Sequence, residues 1–188
     1  MKNLKSIALA VIVALSTMTA MAQTTKKVDV TKSKILWTAK KVGGQHHGDI
    51  AIKEGILIFK GSKIVGGNFI VDMTTINTTD LEGEWKGKLD KHLKADDFFG
   101  VVTNPTATLV FKTIGAKSKN TYAVTADLTI KGKTAPVTFD LVANKGVANA
   151  KFMVDRTKYD IKYGSKNFGA LADKAIDDEF ELNVSLKF

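Results

Sequence analysis

Cysteine is absent from this chain of 188 residues, so neither a disulfide bond, a lipid-modified cysteine nor a thiol nucleophile is available. The fold must therefore be held by its core alone. Dense basic runs with interleaved aromatic residues are also missing, because the lysines are scattered singly, and we expect no nucleic acid as a partner. After the first 22 residues, no apolar run approaches the ~20 residues that a membrane-spanning helix needs.

The motifs of catalysis are equally scarce. The chain has no Gly-x-Ser-x-Gly elbow and no glycine-rich phosphate loop between a strand and a helix. His46 and His47 are adjacent, so on a strand their side chains point to opposite faces and share one metal ion poorly, and His92 is distant in sequence. Asp96 and Asp97 are adjacent and diverge in the same way. We therefore expect neither an enzyme nor a metal site, and no cofactor.

The first 22 residues have the features of a secretion signal. Two lysines precede a short apolar run at 7–15, and Ala20-Met21-Ala22 forms a small-x-small cleavage site. The run is too short to span a bilayer, which takes ~20 residues. We expect cleavage after Ala22, a single domain at 23–188, and a periplasmic or secreted mature protein. Cleavage lowers the formal net charge of +9 by two.

Alternation of apolar and polar residues dominates the chain after residue 33, as in β-strands with one dry face. It is clearest near the C-terminus, where Phe180, Leu182 and Val184 alternate with polar residues. Residues 23–33 are polar, and we expect a loose arm there. The predicted strands are 34–41, 48–60, 63–75, 106–114, 120–131, 134–143, 147–156 and 178–187.

Eight antiparallel strands that each have one dry face can close into a barrel, whose interior is just wide enough for side chains or one small ligand. We therefore predict an all-β fold, a single antiparallel eight-stranded barrel. Residues 84–100 have apolar residues at helical spacing and form a short helical connection between the third and fourth strands. A β-sandwich is the competing architecture.

The segment that ends in Phe98 and Phe99 interrupts the strand pattern. Two adjacent rings follow two acids in a polar connection, and burying a phenylalanine is worth about 1.5–3 kcal/mol. We therefore expect the connection to fold back against the strands, with at least one of the two rings lining a cavity.

Arg156 is the only arginine, and it shares the strand parity of Phe152 and Val154, so we expect it at the end of a dry face. The planar donor fork of arginine suits an anionic headgroup. The alternative is a structural ion pair with a nearby acid, and the candidates are Asp155, Asp160 and Asp177.

The candidate binding residues are large apolar side chains and two polar groups near strand ends. The headgroup candidates are His47 and Arg156. The cavity candidates are Trp37, Phe59, Phe69, Val71, Leu93, Phe98, Phe99, Phe111, Leu128, Phe139, Phe152 and Phe180.

Several blocks, in order along nearly the whole mature chain, resemble the YceI-like family of secreted proteins, which is named for polyisoprenoid or lipid binding. The blocks are Trp37–Gly48, Gly67–Ile76, Lys88–Phe99, Asp127–Phe139 and Asp155–Ile161. The resemblance implies a lipocalin-like barrel whose apolar interior holds a polyisoprenoid, quinone or fatty chain, and it implies no established reaction. Departures from the family pattern at Ala95, Gly100 and Asn104 concern the connection rather than the strands.

The resemblance favours a periplasmic lipid-binding protein. A small outer-membrane β-barrel is an alternative, because alternation does not distinguish a barrel that is dry inside from one that is dry outside. A ligand-free, stress-related interaction protein is another. The positive charge is compatible with transient contact with a membrane surface, and the oligomeric state, a dimer included, stays open.

Overall fold

The computed structural model describes residues 22–188, so the expected secretion signal lies, except for Ala22, outside the described residues. The helix α1 spans Gly83–Lys94. Within the described residues there are nine strands: β1 (Gln23–Lys27), β2 (Lys34–Lys41), β3 (Gly44–Lys60), β4 (Lys63–Thr78), β5 (Thr106–Ala116), β6 (Thr121–Ile130), β7 (Lys133–Asn144), β8 (Val147–Asp155) and β9 (Ile176–Lys187).

Strands β2 to β9 form a closed, antiparallel, eight-stranded barrel, which confirms the predicted fold class and excludes the β-sandwich. Each strand pairs with its neighbour in sequence, and β9 closes the barrel by pairing with β2, where Trp37 lies opposite Leu182. The pairing of β7 with β8 is limited to Leu141–Asn144 on β7. Beyond this stretch, the ring of Phe139 on β7 is stacked on that of Phe152 on β8, with their centroids 4.6 Å apart.

The strand β1 corrects the expectation of a loose arm at 23–33. It pairs with β3 from Gln23 opposite Lys60 to Lys27 opposite Ile56, while β2 pairs with the other half of β3. All five side chains of β1 are exposed. A strand without a buried face has no apolar alternation, so its sequence does not reveal it.

The helix α1 connects β4 and β5, which are the third and fourth of the predicted strands, as expected. It ends at Lys94 and not near residue 100. Ala95 leaves the helical conformation with a ψ of 163°. Asp96 and Asp97 follow in a turn, where the short side chain of aspartate competes for backbone hydrogen bonds, and Gly100 has a φ of +54°. The helix, the turn that follows it and the loop at 156–175 lie at one end of the barrel, which we call the covered end.

The dry face of the sheet is the inner one. Buried apolar residues alternate with exposed or partly exposed ones along β6, β7 and β8. The outer face carries cross-strand ion pairs, Lys112 with Asp127 at 3.3 Å and Lys151 with Glu181 at 3.1 Å. Among residues 22–188, no helix combines the length and the apolar character needed to cross a membrane.

Two glycines make room for large rings on neighbouring strands. A Cβ atom at Gly48 would lie 2.6 Å from the Trp37 indole and would collide with the backbone oxygen of Asn77. A Cβ atom at Gly67 would lie 2.9 Å from the rings of Phe69 and Phe111. The neighbouring rings could therefore not occupy their positions if either glycine were replaced by a residue with a side chain.

Candidate functional site

The barrel interior holds two adjacent apolar cavities. The upper cavity, at the covered end, has a volume of about 110 Å³, and the lower cavity has a volume of about 80 Å³. Four residues line both cavities, and we call them the waist: Ile35, Val71, Leu128 and Leu182. The two cavities are thus separated at the waist by aliphatic side chains.

The roof of the upper cavity is aromatic. Phe98 and Phe99 both line this cavity, together with Leu93 at the end of α1. The ring of Phe99 lies 6.5 Å from that of Phe180 and 5.1 Å from that of Phe98. Edge-to-face contacts of this kind stabilise a packed cluster beyond the burial of its area. The two rings thus form part of the wall of the upper cavity on the side of α1.

A ladder of rings continues from this roof to the surface. The His92 ring lies 5.4 Å from that of Phe98 and 4.4 Å from that of Tyr163, whose side chain is exposed. The ladder joins α1 to the loop at 156–175. Both elements of the covered end are therefore in contact with the aromatic roof through this ladder.

The lower cavity is lined by phenylalanine rings and aliphatic residues. The rings of Phe69 and Phe111 lie 5.6 Å apart, and Phe139 lies stacked on Phe152. None of the described residues that line this cavity has a charged or polar side chain. The lining residues other than these rings and the waist are Ile52, Leu109, Leu141, Ala150, Val184 and Leu186.

Eleven of the twelve cavity candidates line one or both cavities. The exception is Phe59, which points inward at the opposite end of the barrel, where its ring lies 5.6 Å from that of Phe188. The strand β3 is long and extends beyond the cavities, so inward parity alone does not place a residue at the site. The lining also includes aliphatic residues that are not among the sequence candidates, such as Ile35, Ile130 and Leu182. Each has the parity of a predicted neighbour on its own strand.

His47 does not line either cavity, because Gly48 points inward and its neighbour on β3 therefore points outward. Its backbone N–H donates to the Asp80 carboxylate at 2.9 Å, and the ring of His46 lies 2.8 Å from the same carboxylate. Burial acts to raise the pKa of Asp80, but these hydrogen bonds outweigh burial and lower it. The two histidines thus attach the segment before α1 to the barrel.

Arg156 lies at the end of the upper cavity and is 2% exposed. Burial lowers the pKa of its guanidinium, and the neighbouring carboxylates, first that of Asp178, oppose the shift. All five of its N–H groups have acceptors. These are the backbone oxygens of Asp177 (3.0 Å), Ile161 (2.9 Å), Tyr163 (2.8 Å) and Ile176 (3.1 Å), and the Asp178 carboxylate (3.4 Å).

This geometry corrects the headgroup expectation for Arg156. A guanidinium has five donors, and all are engaged within the protein. Its ion-pair partner is Asp178, and of the three expected acids only Asp177 contacts it, through the backbone oxygen. Arg156 therefore holds the loop at 156–175 and the start of β9 together beneath the covered end.

The model of the YceI-like domain family matches residues 27–188 of the chain. Curated relatives carry the name UPF0312 protein. The relative from Shewanella denitrificans is 32% identical over 85 residues, which are 45% of this chain and 42% of that protein. The relative from Staphylococcus epidermidis is 33% identical over 142 residues, which are 64% of this chain and 78% of that protein. The chain spans half or less of the length of the first relatives it matches.

Solved structures share the fold at low sequence identity. Burkholderia cenocepacia BcnA is 22% identical, with a TM-score of 0.65 over 85% of this chain and 98% of that one. A polyisoprenoid binding domain from Saccharophagus degradans is 14% identical, with a TM-score of 0.60 over 89% of this chain and 98% of that one. With the family model covering nearly all described residues, this chain belongs to the YceI-like family.

Proposed function

We propose that the protein binds one long apolar chain of the polyisoprenoid class inside the barrel. The observation that carries the proposal is the pair of apolar cavities separated at the waist by aliphatic side chains. The description of the Saccharophagus degradans relative as a polyisoprenoid binding domain supports the ligand class. Each buried CH₂ group of such a chain gains about 0.8 kcal/mol.

Binding requires the waist to open. Cavities of 110 and 80 Å³ are small beside the roughly 300–1,000 Å³ of ordinary ligand pockets. On β9, residues that line the cavities extend from Ile176 to Leu186, about 33 Å along the strand. Because strands in a barrel are tilted by ~40° from the barrel axis, this corresponds to roughly 25 Å along the axis. This path exceeds half of the ~30 Å hydrocarbon core of a bilayer, so a long chain fits once the waist side chains separate.

The polar end of the ligand is neutral in this proposal. The charged residues that line the upper cavity are Arg156 and Asp177, and since the donors of Arg156 are all engaged, the described lining offers an anion no free cationic group. An isoprenoid alcohol or a quinone therefore suits the site better than a fatty acid or an isoprenoid phosphate. The head lies at the covered end, where the lining contains these two polar residues.

The second part of the proposal concerns where the protein works. We propose that residues 1–22 direct secretion and are removed, and that the mature protein works in the periplasm without catalysing a reaction. Cleavage after Ala22 leaves β1 intact, because β1 begins at Gln23. N-terminal sequencing of the protein from the periplasmic fraction is expected to start at Gln23, and an unprocessed chain in the cytoplasm would contradict export.

A plugging variant with a matched control tests ligand binding. Ala107 lines the upper cavity from β5, and Val110 lies on the same strand with its side chain exposed outside. In Ala107→Phe the added ring fills the cavity, whereas in Val110→Phe it lies outside. The measurement is mass spectrometry of organic extracts from natively purified protein, together with quenching of Trp37 fluorescence by a long-tailed quinone in a Trp85→Phe background.

We expect a stoichiometric isoprenoid or quinone in the extract of the parent protein and of Val110→Phe, and at least a tenfold loss in folded Ala107→Phe. A protein that yields no lipid and binds none of a series of isoprenoid alcohols of increasing length would overturn the proposal. Equal binding by both variants would also contradict it.

A further inference from the structure

The end of the barrel opposite α1 is rich in lysine. It consists of three turns, at 60–63, 116–121 and 144–147, together with β1 and the end of β9. We call it the basic end. Seven exposed lysines define it: Lys26, Lys60, Lys63, Lys117, Lys119, Lys145 and Lys187.

Carboxylates are few at this end. In the described part of the chain, one ion pair involves the seven lysines, that of Lys117 with Asp140 at 2.6 Å. Asp29, which accompanies β1, is already paired with Lys32 at 2.7 Å. The covered end differs, because its lysines alternate with acids and several are paired, as Lys86 is with Asp90 and Lys162 with Asp160. The excess positive charge of the protein is therefore concentrated at one end of the barrel.

Cross-turn hydrogen bonds hold the lysine-bearing turns together. The N–H of Ile64 donates to the Tyr122 hydroxyl at 3.4 Å, and the N–H of Ala143 donates to the Asn120 oxygen at 2.8 Å. The N–H of Phe188 donates to the oxygen of Gly146 at 2.9 Å. The lysines thus project from a common rim rather than from independent loops.

The rim encloses a shallow basin of about 490 Å³ with an aromatic floor. Phe59, Tyr122 and Phe188 form much of this floor, and Lys26 places its ammonium group 5.1 Å from the Phe59 ring and 5.3 Å from the Phe188 ring. No Asp or Glu side chain is among the described residues that line the basin. The surface is therefore positive at its rim, and its centre combines aromatic rings with uncharged polar groups.

We propose that the basic end docks on the surface of an anionic lipid bilayer. The charges complement each other, since a ring of lysines faces a field of lipid phosphates. Lysine is a compact, strongly hydrated point charge, which suits many dispersed phosphates, whereas arginine forks that grip one phosphate bidentately are absent from these seven positions. In the docked state the covered end points away from the bilayer. The proposal stands independently of what the cavities bind.

Two variants of equal net charge test the docking. The rim variant carries Lys→Gln at four positions of the basic end: Lys60, Lys63, Lys119 and Lys145. The control carries Lys→Gln at four positions of the covered end: Lys88, Lys91, Lys94 and Lys166. The mature protein and both variants are sedimented with phosphatidylglycerol vesicles and with phosphatidylcholine vesicles, and thermal unfolding verifies that each is folded.

We expect the mature protein to bind phosphatidylglycerol vesicles and not phosphatidylcholine vesicles, with binding that weakens at high salt. The rim variant is expected to lose at least about tenfold in affinity, and the control less than about twofold. Equal losses in both variants would overturn the proposal by showing a net-charge effect without a docking surface. Absence of vesicle binding by the parent would overturn it too.

Discussion

The two ends of this barrel are built differently. The covered end has a helix, a long loop, an aromatic roof and the buried Arg156, which forms one ion pair and four hydrogen bonds to backbone oxygens. The basic end has short turns and lysines that largely lack acidic partners. The net charge of the whole sequence therefore does not show how charge is distributed between the two ends. The two ends also differ in their buried charge, since the covered end has the buried guanidinium of Arg156 and the seven lysines of the basic end are exposed.

The largest effect is expected from Arg156→Met. Removal of the guanidinium leaves four backbone oxygens of the covered end without their donor, and breaking a buried charged network costs about 3–5 kcal/mol of unfolding free energy. Lys119→Met, at the basic end, is the control and changes that free energy by less than about 0.5 kcal/mol. Chemical denaturation measures both. Equal stabilities would remove the proposed structural difference between the ends.

A smaller loss is expected from Gly48→Ala. The added methyl group collides with the Asn77 backbone oxygen and the Trp37 indole, and overpacking of this kind costs about 1–3 kcal/mol. Gly44→Ala on the same strand is the control, because a Cβ atom there has open space around it. Thermal unfolding compares the two variants. If the two variants unfold at the same temperature, Trp37 is not confined at the wall of the upper cavity as described.

A pH-dependent effect is expected from Asp90 at the covered end. Burial acts to raise the pKa of Asp90, but hydrogen bonds from Lys86 and Thr78 outweigh it and lower the pKa. A lowered native pKa gives stability that is present above the unfolded value of about 3.9 and is lost as the pH falls through the native value. Asp90→Asn is therefore expected to cost about 1 kcal/mol at neutral pH.

The stability difference between Asp90→Asn and the parent should shrink below about pH 4, where the parent carboxylate becomes protonated. Unfolding at a series of pH values measures this. A difference that is constant down to strongly acidic pH would contradict a role for the carboxylate charge in attaching α1.

The smallest effect on stability is expected from Asp140→Asn at the basic end. Lys117 and Asp140 are 57% and 49% exposed, and exposed pairs contribute about 0.2–1 kcal/mol. Loss of the carboxylate frees Lys117 and adds positive charge to the rim, so affinity for phosphatidylglycerol vesicles is expected to rise a few-fold. A decrease in vesicle affinity would contradict the docking surface.

The strands and the inner face could be predicted because burial imposes alternation on the sequence. Phe180 and Leu182 share a parity, and both line the upper cavity. The strand β1 could not be predicted in this way, since it is held by backbone pairing and has no buried face. The outward position of His47 could have been predicted from Ile50 and Ile52. Both point inward, and His47 lies an odd number of residues from each, so its side chain points to the opposite face.

The partners of Arg156 lay beyond the reach of sequence. Four of them are backbone oxygens, and backbone oxygens are present at every residue, so no residue type marks them. The separation of the interior into two cavities was equally hidden. It depends on how far the waist side chains extend across the barrel, and parity gives only the direction in which they point.

The most direct test of the account is a crystal structure of the protein with solanesol, an alcohol with a long isoprenoid chain. We predict continuous density from the covered end through the waist into the lower cavity, with Leu128 and Leu182 displaced from the positions described above. A chain bound outside the barrel, or confined to the upper cavity with the waist side chains unmoved, would contradict the claim that the interior is one extended binding site.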